Sequence, residues 1–140
     1  TFFITGVQVE VGQNPTSFEH EPYETTLKKC ERYFLHFGKG GNPLLGTASY
    51  YRSNLAILSV WFPTAMRTNP SVVENLGSTG NQSYIIYRED DADYVSSTSI
   101  ARQGLYGCHI EIGNGNGTVG HSGSGSLQYT DQSIQFNAEL

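Results

Sequence analysis

Positive charge is scarce in this chain: 8 Lys and Arg stand against 13 Asp and Glu in 140 residues, a formal net charge of −5. No basic stripe is available to neutralise phosphates, so nucleic acid is not an expected partner, and a polybasic membrane contact lacks its residues. Long apolar runs are missing as well. Leu55 to Leu58 continuing through Val60, Trp61 and Phe62 falls far short of the roughly 20 residues that span a bilayer, which excludes membrane insertion by a helix from the expectations. The opening residues have neither the basic start nor the apolar centre of a signal peptide. Cysteine is reduced to Cys30 and Cys108, without CxxC spacing or a neighbouring His cluster. Neither a zinc site nor a disulfide framework is indicated; both thiols are expected to be buried, and no metal or cofactor is expected.

What remains is aromatic and rich in turn residues: 9 Tyr, 7 Phe, 16 Gly and 5 Pro, with 37% hydrophobic and 15% charged residues. That composition suits a folded, loop-rich all-β domain with one sizeable core rather than a disordered segment. Phe3 to Val11 alternates in the β period and reads as a strand. After the turn residues Gly12 to Ser17, Pro22 opens a helix, with Glu21 and Glu24 at its start and Lys28, Lys29 and Arg32 towards its end. Tyr23, Leu27, Cys30 and Phe34 recur at steps of four, three and four, a narrow apolar stripe that resembles a coiled-coil seam. A helix of about a dozen residues is marginal alone in water, so the stripe must dock, either on this domain or on copies of itself.

Short β segments follow at 46–51, 54–62, 71–75, 83–88, 94–101, 105–113 and 133–139, bounded by Gly, Asn, Asp, Ser or Pro. Seven short strands with one helix predict an antiparallel β-sandwich or barrel; the sandwich, jelly-roll-like, is the arrangement expected. The Gly-rich stretch 113–126 has no Gly-Lys-Ser/Thr and reads as a loop, a second-rank candidate for recognition. Glu89, Asp90, Asp91 and Asp93 lack the spacing of a calcium loop and read as a solvated turn. No nucleophile elbow is present, the four His are scattered, and no enzyme activity is expected. The abundant Tyr suits glycan binding, because aromatic faces stack on the C–H faces of sugars while neighbouring polar groups take the hydroxyls. The candidate contacts are Tyr50, Tyr51, Arg52, Tyr87, Arg88, Asp91 and Tyr106. Trp61, inside the most apolar run, is assigned to the core or an oligomer interface.

Ile4 to Gly12, Pro15 to His20, Pro22-Tyr23 and Cys30 to Phe34 resemble a segment of bacteriophage tail fibre and tailspike proteins: a strand closing an upstream jelly-roll-like module, a linker and a short helix. Phe62 to Val72 and the ending Asn137 to Leu140 resemble the C-terminal receptor-binding region of the same proteins. Glu21, Glu31 and Phe34 depart mildly from the pattern, and residues 38–56 and 75–132 carry no resemblance. The resemblance implies a homotrimer on the virion, at the tip of a tail fibre or tailspike, that binds a bacterial surface polysaccharide or lipopolysaccharide. It divides the chain into 1–21, a terminal strand of an upstream module with its linker; 22–36, a trimerisation helix; and 37–140, the receptor-binding domain. Tyr23, Leu27, Cys30 and Phe34 would then face one another across the trimer axis. A trimerisation module without a ligand of its own and a fragment of a polysaccharide depolymerase are the alternatives.

Overall fold

The computed structural model describes residues 7–14, 16–38, 43–76, 83–88, 91–113 and 115–139. One helix, α1 (Tyr23–Glu31), precedes nine strands: β1 (Phe34–Gly38), β2 (Leu44–Arg52), β3 (Leu55–Trp61), β4 (Ser71–Asn75), β5 (Tyr84–Tyr87), β6 (Ala92–Gly104), β7 (Gly107–Gly113), β8 (Ser122–Leu127) and β9 (Ser133–Asn137). Every strand pair is antiparallel, as the short strands and turn residues predict. In place of two open facing sheets, hydrogen bonding closes six strands into a ring in the order β2-β3-β7-β6-β5-β8, beside a three-stranded sheet β1-β9-β4.

Side-chain alternation explains the ring wall. In β3, Ala56, Leu58 and Val60 are buried while Leu55, Ile57 and Ser59 are half-buried and Trp61 is exposed; in β7, Cys108, Ile110 and Ile112 are buried and His109 and Glu111 stand outside them. Their register, Leu58 against Ile110 and Ser59 against His109, keeps both apolar sets on the inner face. The three-stranded sheet closes the same core. Phe136 of β9, fully buried, meets Phe37 edge-on at 5.9 Å and Phe62 at 4.8 Å, joining β1 to the segment after β3. Glu74 of β4 accepts a hydrogen bond from the hydroxyl of the fully buried Tyr84 in β5, a polar tie between sheet and ring. Burial, then the neighbouring Glu74 charge, pushes the Tyr84 hydroxyl far above its usual range.

Several expectations are corrected. The helix ends at Glu31, and Phe34 opens β1 instead of completing the helical stripe. The cause is tertiary: Tyr33 to Phe37 is a run of aromatic and apolar residues with good β propensity, and β9 offers it a full register from Phe34–Asn137 to Gly38–Ser133. Val7 to Val11 forms no strand and is exposed, because no strand edge among the described residues pairs with it. It folds back instead through side chains: Thr16 donates its amide to Glu10 at 2.6 Å, and Glu19 donates its amide to Gln8 at 2.9 Å. The rest of that predicted strand, 3–6, lies outside the described residues, as do Glu89 and Asp90 of the acidic turn. Cys108 is buried, but Cys30 is exposed.

Part of the Gly-rich stretch is the strand β8, not a loop. Its glycines answer to crowding: a Cβ at Gly123 would lie 2.0 Å from the Tyr87 carbonyl oxygen, and one at Gly125 would lie 2.5 Å from Leu58. A narrow six-stranded ring brings neighbouring backbone and core side chains this close, and glycine alone fits.

Candidate functional site

The two ends of the ring differ. At one end gather the β2–β3 turn, Arg88, Asp91 and residues 115–121, and here Tyr50 is at the centre. A predicted sugar contact, Tyr50 is instead 2% exposed. Its hydroxyl donates to the Asp93 carboxylate, which also accepts a hydrogen bond from Arg88 Nη2 at 3.0 Å and lies 2.8 Å from Arg88 Nε in an ion pair, while the Arg88 guanidinium lies 5.7 Å from the Tyr50 ring centroid. Burial, then the bond to Asp93, raises the Tyr50 hydroxyl well above its ordinary range. Asp93 in turn holds the Arg88 guanidinium in its charged form.

The Gly-rich segment lies across this ring. A Cβ at Gly117 would come within 2.4 Å of three Tyr50 ring atoms, and one at Gly115 within 2.6 Å of its hydroxyl oxygen. Gly117 donates its amide to the Ser53 carbonyl at 3.0 Å, and Tyr50 exchanges backbone bonds with His121 and Gly120 at 2.9 and 3.0 Å. The glycines therefore make a backbone cover for an aromatic side chain. Tyr50 is thus buried under that cover, with Arg88 tied to it through Asp93. Asp91 is exposed and spends one carboxylate oxygen on the Ala92 amide at 2.7 Å, and Tyr87 is 43% exposed at the same end.

The outer wall of β3, β7 and β6 is different. Two concavities of about 230 and 360 Å³ run along it and share Arg102 and His109. The first lies under Trp61, Leu105 and Tyr106, the second beside Tyr51, Arg52, Ile57 and Glu111. Together they form one groove with aromatic side chains at both ends: Trp61 is 70%, Tyr106 65% and Tyr51 62% exposed. Trp61 is thus not a core residue. It points outward in the β3 alternation, and its register partner Gly107 places no side chain across from the indole.

Local irregularities build the groove. A bulge at Tyr50/Arg52 in β2 turns both Tyr51 and Arg52 to solvent, where the Arg52 guanidinium lies 5.6 Å over the Tyr51 ring. A second irregularity, between Ala101 and Gly104 in β6, contains Arg102 at φ 48°, the left-handed region that disfavours a side chain. Ser99 donates to Glu111 at 2.8 Å. Nδ1 of His109 is buried and has no hydrogen-bond partner among the described residues.

Of the residues predicted from sequence, Tyr51, Arg52 and Tyr106 come together here, whereas Tyr87, Arg88 and Asp91 belong to the Tyr50 end. Trp61, Arg102, His109, Ser59 and Glu111 were missed. The outward half of the β3 and β7 alternation was the available signal, since the residues alternating with the core set in adjacent strands must share a face. Of the predicted interface residues, Tyr23 is 77%, Leu27 41% and Phe34 44% exposed, and α1 buries none of its side chains. Chemically, the groove offers stacking faces, guanidinium, imidazole and carboxylate groups side by side. Comparison with known protein families, characterised proteins and solved structures finds no match.

Proposed function

We propose that this chain is the distal domain of a bacteriophage tail fibre or tailspike, trimeric on the virion, and that its outer groove binds a glycan of the bacterial surface. The observation that carries the glycan reading is the groove itself: Trp61, Tyr106 and Tyr51 exposed along one wall, with Arg52, Arg102, His109 and Glu111 between them. Sugars present apolar C–H faces ringed by hydroxyls, so stacking surfaces interleaved with hydrogen-bonding groups match them better than either alone. Each aromatic contact supplies on the order of 1 kcal/mol, and three linked copies turn weak sites into useful avidity.

The trimer reading rests on α1, whose Tyr23, Leu27 and Cys30 are exposed among the described residues. Phe34 continues that uncovered surface from β1. In this reading the closed ring with its flanking sheet fills the place of the jelly-roll-like sandwich. The uncovered helix also favours the second reading, a module that only trimerises the fibre end.

A glycan array probed with the purified chain, alongside Trp61→Ala and Tyr106→Ala, separates the two. The binding reading expects defined glycans to be retained by the native chain and lost in both variants at unchanged oligomeric state. Absence of glycan binding with an intact trimer assigns the chain to the structural reading.

A further inference from the structure

We propose that the groove selects an acidic glycan, one bearing a singly charged carboxylate, over neutral sugars. This deepens the glycan reading and rests on it. The chain as a whole is acidic, with a net charge of −5, so a generic surface would repel an anionic polymer. The groove reverses that sign: its lining holds the guanidinium groups of Arg52 and Arg102 against the single carboxylate of Glu111.

Among the described residues, the ion pairs are Lys29–Glu21 and Arg88–Asp93, and neither Arg52 nor Arg102 has a carboxylate partner. Arg52 rests on the Tyr51 ring, which leaves its N–H edges available. Arg102 occupies the junction of both halves of the groove in a backbone conformation that costs a non-glycine residue free energy. Such an outlier persists where the position of the side chain is worth the strain. His109, whose buried Nδ1 has no hydrogen-bond partner among the described residues, lines the same junction. A planar guanidinium pairs with a carboxylate through two parallel N–H···O bonds, a geometry that a sugar hydroxyl cannot match. The excess of one positive charge suits a singly charged carboxylate better than a dianionic phosphate.

The test is an array that pairs uronic-acid, sialic-acid and pyruvylated glycans with their carboxyl-reduced forms, read with the native chain, Arg102→Asn and Arg102→Lys. Asn tolerates the left-handed backbone, so Arg102→Asn removes charge without new strain. The expected result is retention of acidic glycans, a loss of about tenfold or more on carboxyl reduction, the same loss in Arg102→Asn, and partial rescue in Arg102→Lys. Equal or better binding of the reduced forms overturns the acidic selectivity and leaves the glycan reading standing. No binding to either set overturns both.

Discussion

Replacing Gly117 with Ala tests whether the Gly-rich segment is a fitted cover. The added methyl would sit 2.4 Å from three atoms of the Tyr50 ring, about 1 Å inside ordinary contact. The ring cannot retreat cheaply, because its hydroxyl is held by Asp93 and the Arg88 guanidinium is stacked on it. The segment must lift instead, which strains or breaks the Gly117–Ser53 backbone bond. Overpacking of this kind costs about 1–3 kcal/mol. Tyr50→Ala, which empties a site for a large aromatic, costs about 3–5 kcal/mol by itself. Because the new methyl then enters the vacated space, the double variant should be more stable than the sum of the two losses by about 1–3 kcal/mol. Gly120→Ala is the control: a Cβ there meets nothing within 4 Å, so its loss, near 1 kcal/mol from φ 88° alone, should add to Tyr50→Ala without coupling. Urea unfolding followed by circular dichroism at fixed protein concentration measures all six proteins, the Gly120→Ala/Tyr50→Ala double variant included. A Gly117→Ala chain as stable as the native one, or additive losses in the double variant, would refute the cover.

Alkaline pH should destabilise the fold. Tyr84 and Tyr50 hold their protons more tightly folded than unfolded, and burial pushes the Cys108 thiol from 9.0 up to about 12. Their stabilisation is complete below pH 9 and is lost as pH rises through 9 for Cys108 and through 10 for the tyrosines. Tyr84 alone gives a slope of up to about 1.4 kcal/mol per pH unit above pH 10, which Tyr84→Phe should remove; a urea midpoint that stays level from pH 9 to 11 would contradict this. Arg102→Gly should raise stability by about 1 kcal/mol through relief of its φ 48° while weakening glycan binding, and a loss of stability would show that no strain is stored there. Leu27→Glu should convert the proposed trimer to a monomer in sedimentation velocity at micromolar concentration with its β circular dichroism intact; a native chain that sediments as a monomer removes the helix-seam interface.

In β7 the inward set Cys108, Ile110 and Ile112 was legible in the sequence, because period-two patterning follows directly from strand geometry. In β3 that logic left Trp61 open between core and oligomer interface, since this strand carries apolar residues on both faces and hydrophobicity alone does not say which one meets water. Tyr50 and Tyr51 are adjacent and chemically alike; their opposite fates depend on the bulge at Tyr50/Arg52, a feature of pairing that no local residue type announces. Gly123 and Gly125 read as loop residues because glycine weakens an isolated strand, whereas their role is set by Tyr87 and Leu58 on neighbouring strands. Phe34 fitted the helical stripe by spacing and was taken by β9 instead. In each case a long-range contact overrode a local preference.

Trp61 is the sole tryptophan of the chain and lies 70% exposed at one end of the groove, so its fluorescence reports directly on the site. Titration of the native chain with a glycan that it retains on the array should shift Trp61 emission to the blue, saturably, with the shift tracking the binding isotherm as the indole leaves water. Saturable binding with unchanged Trp61 emission would place the ligand elsewhere and contradict the groove as the glycan site.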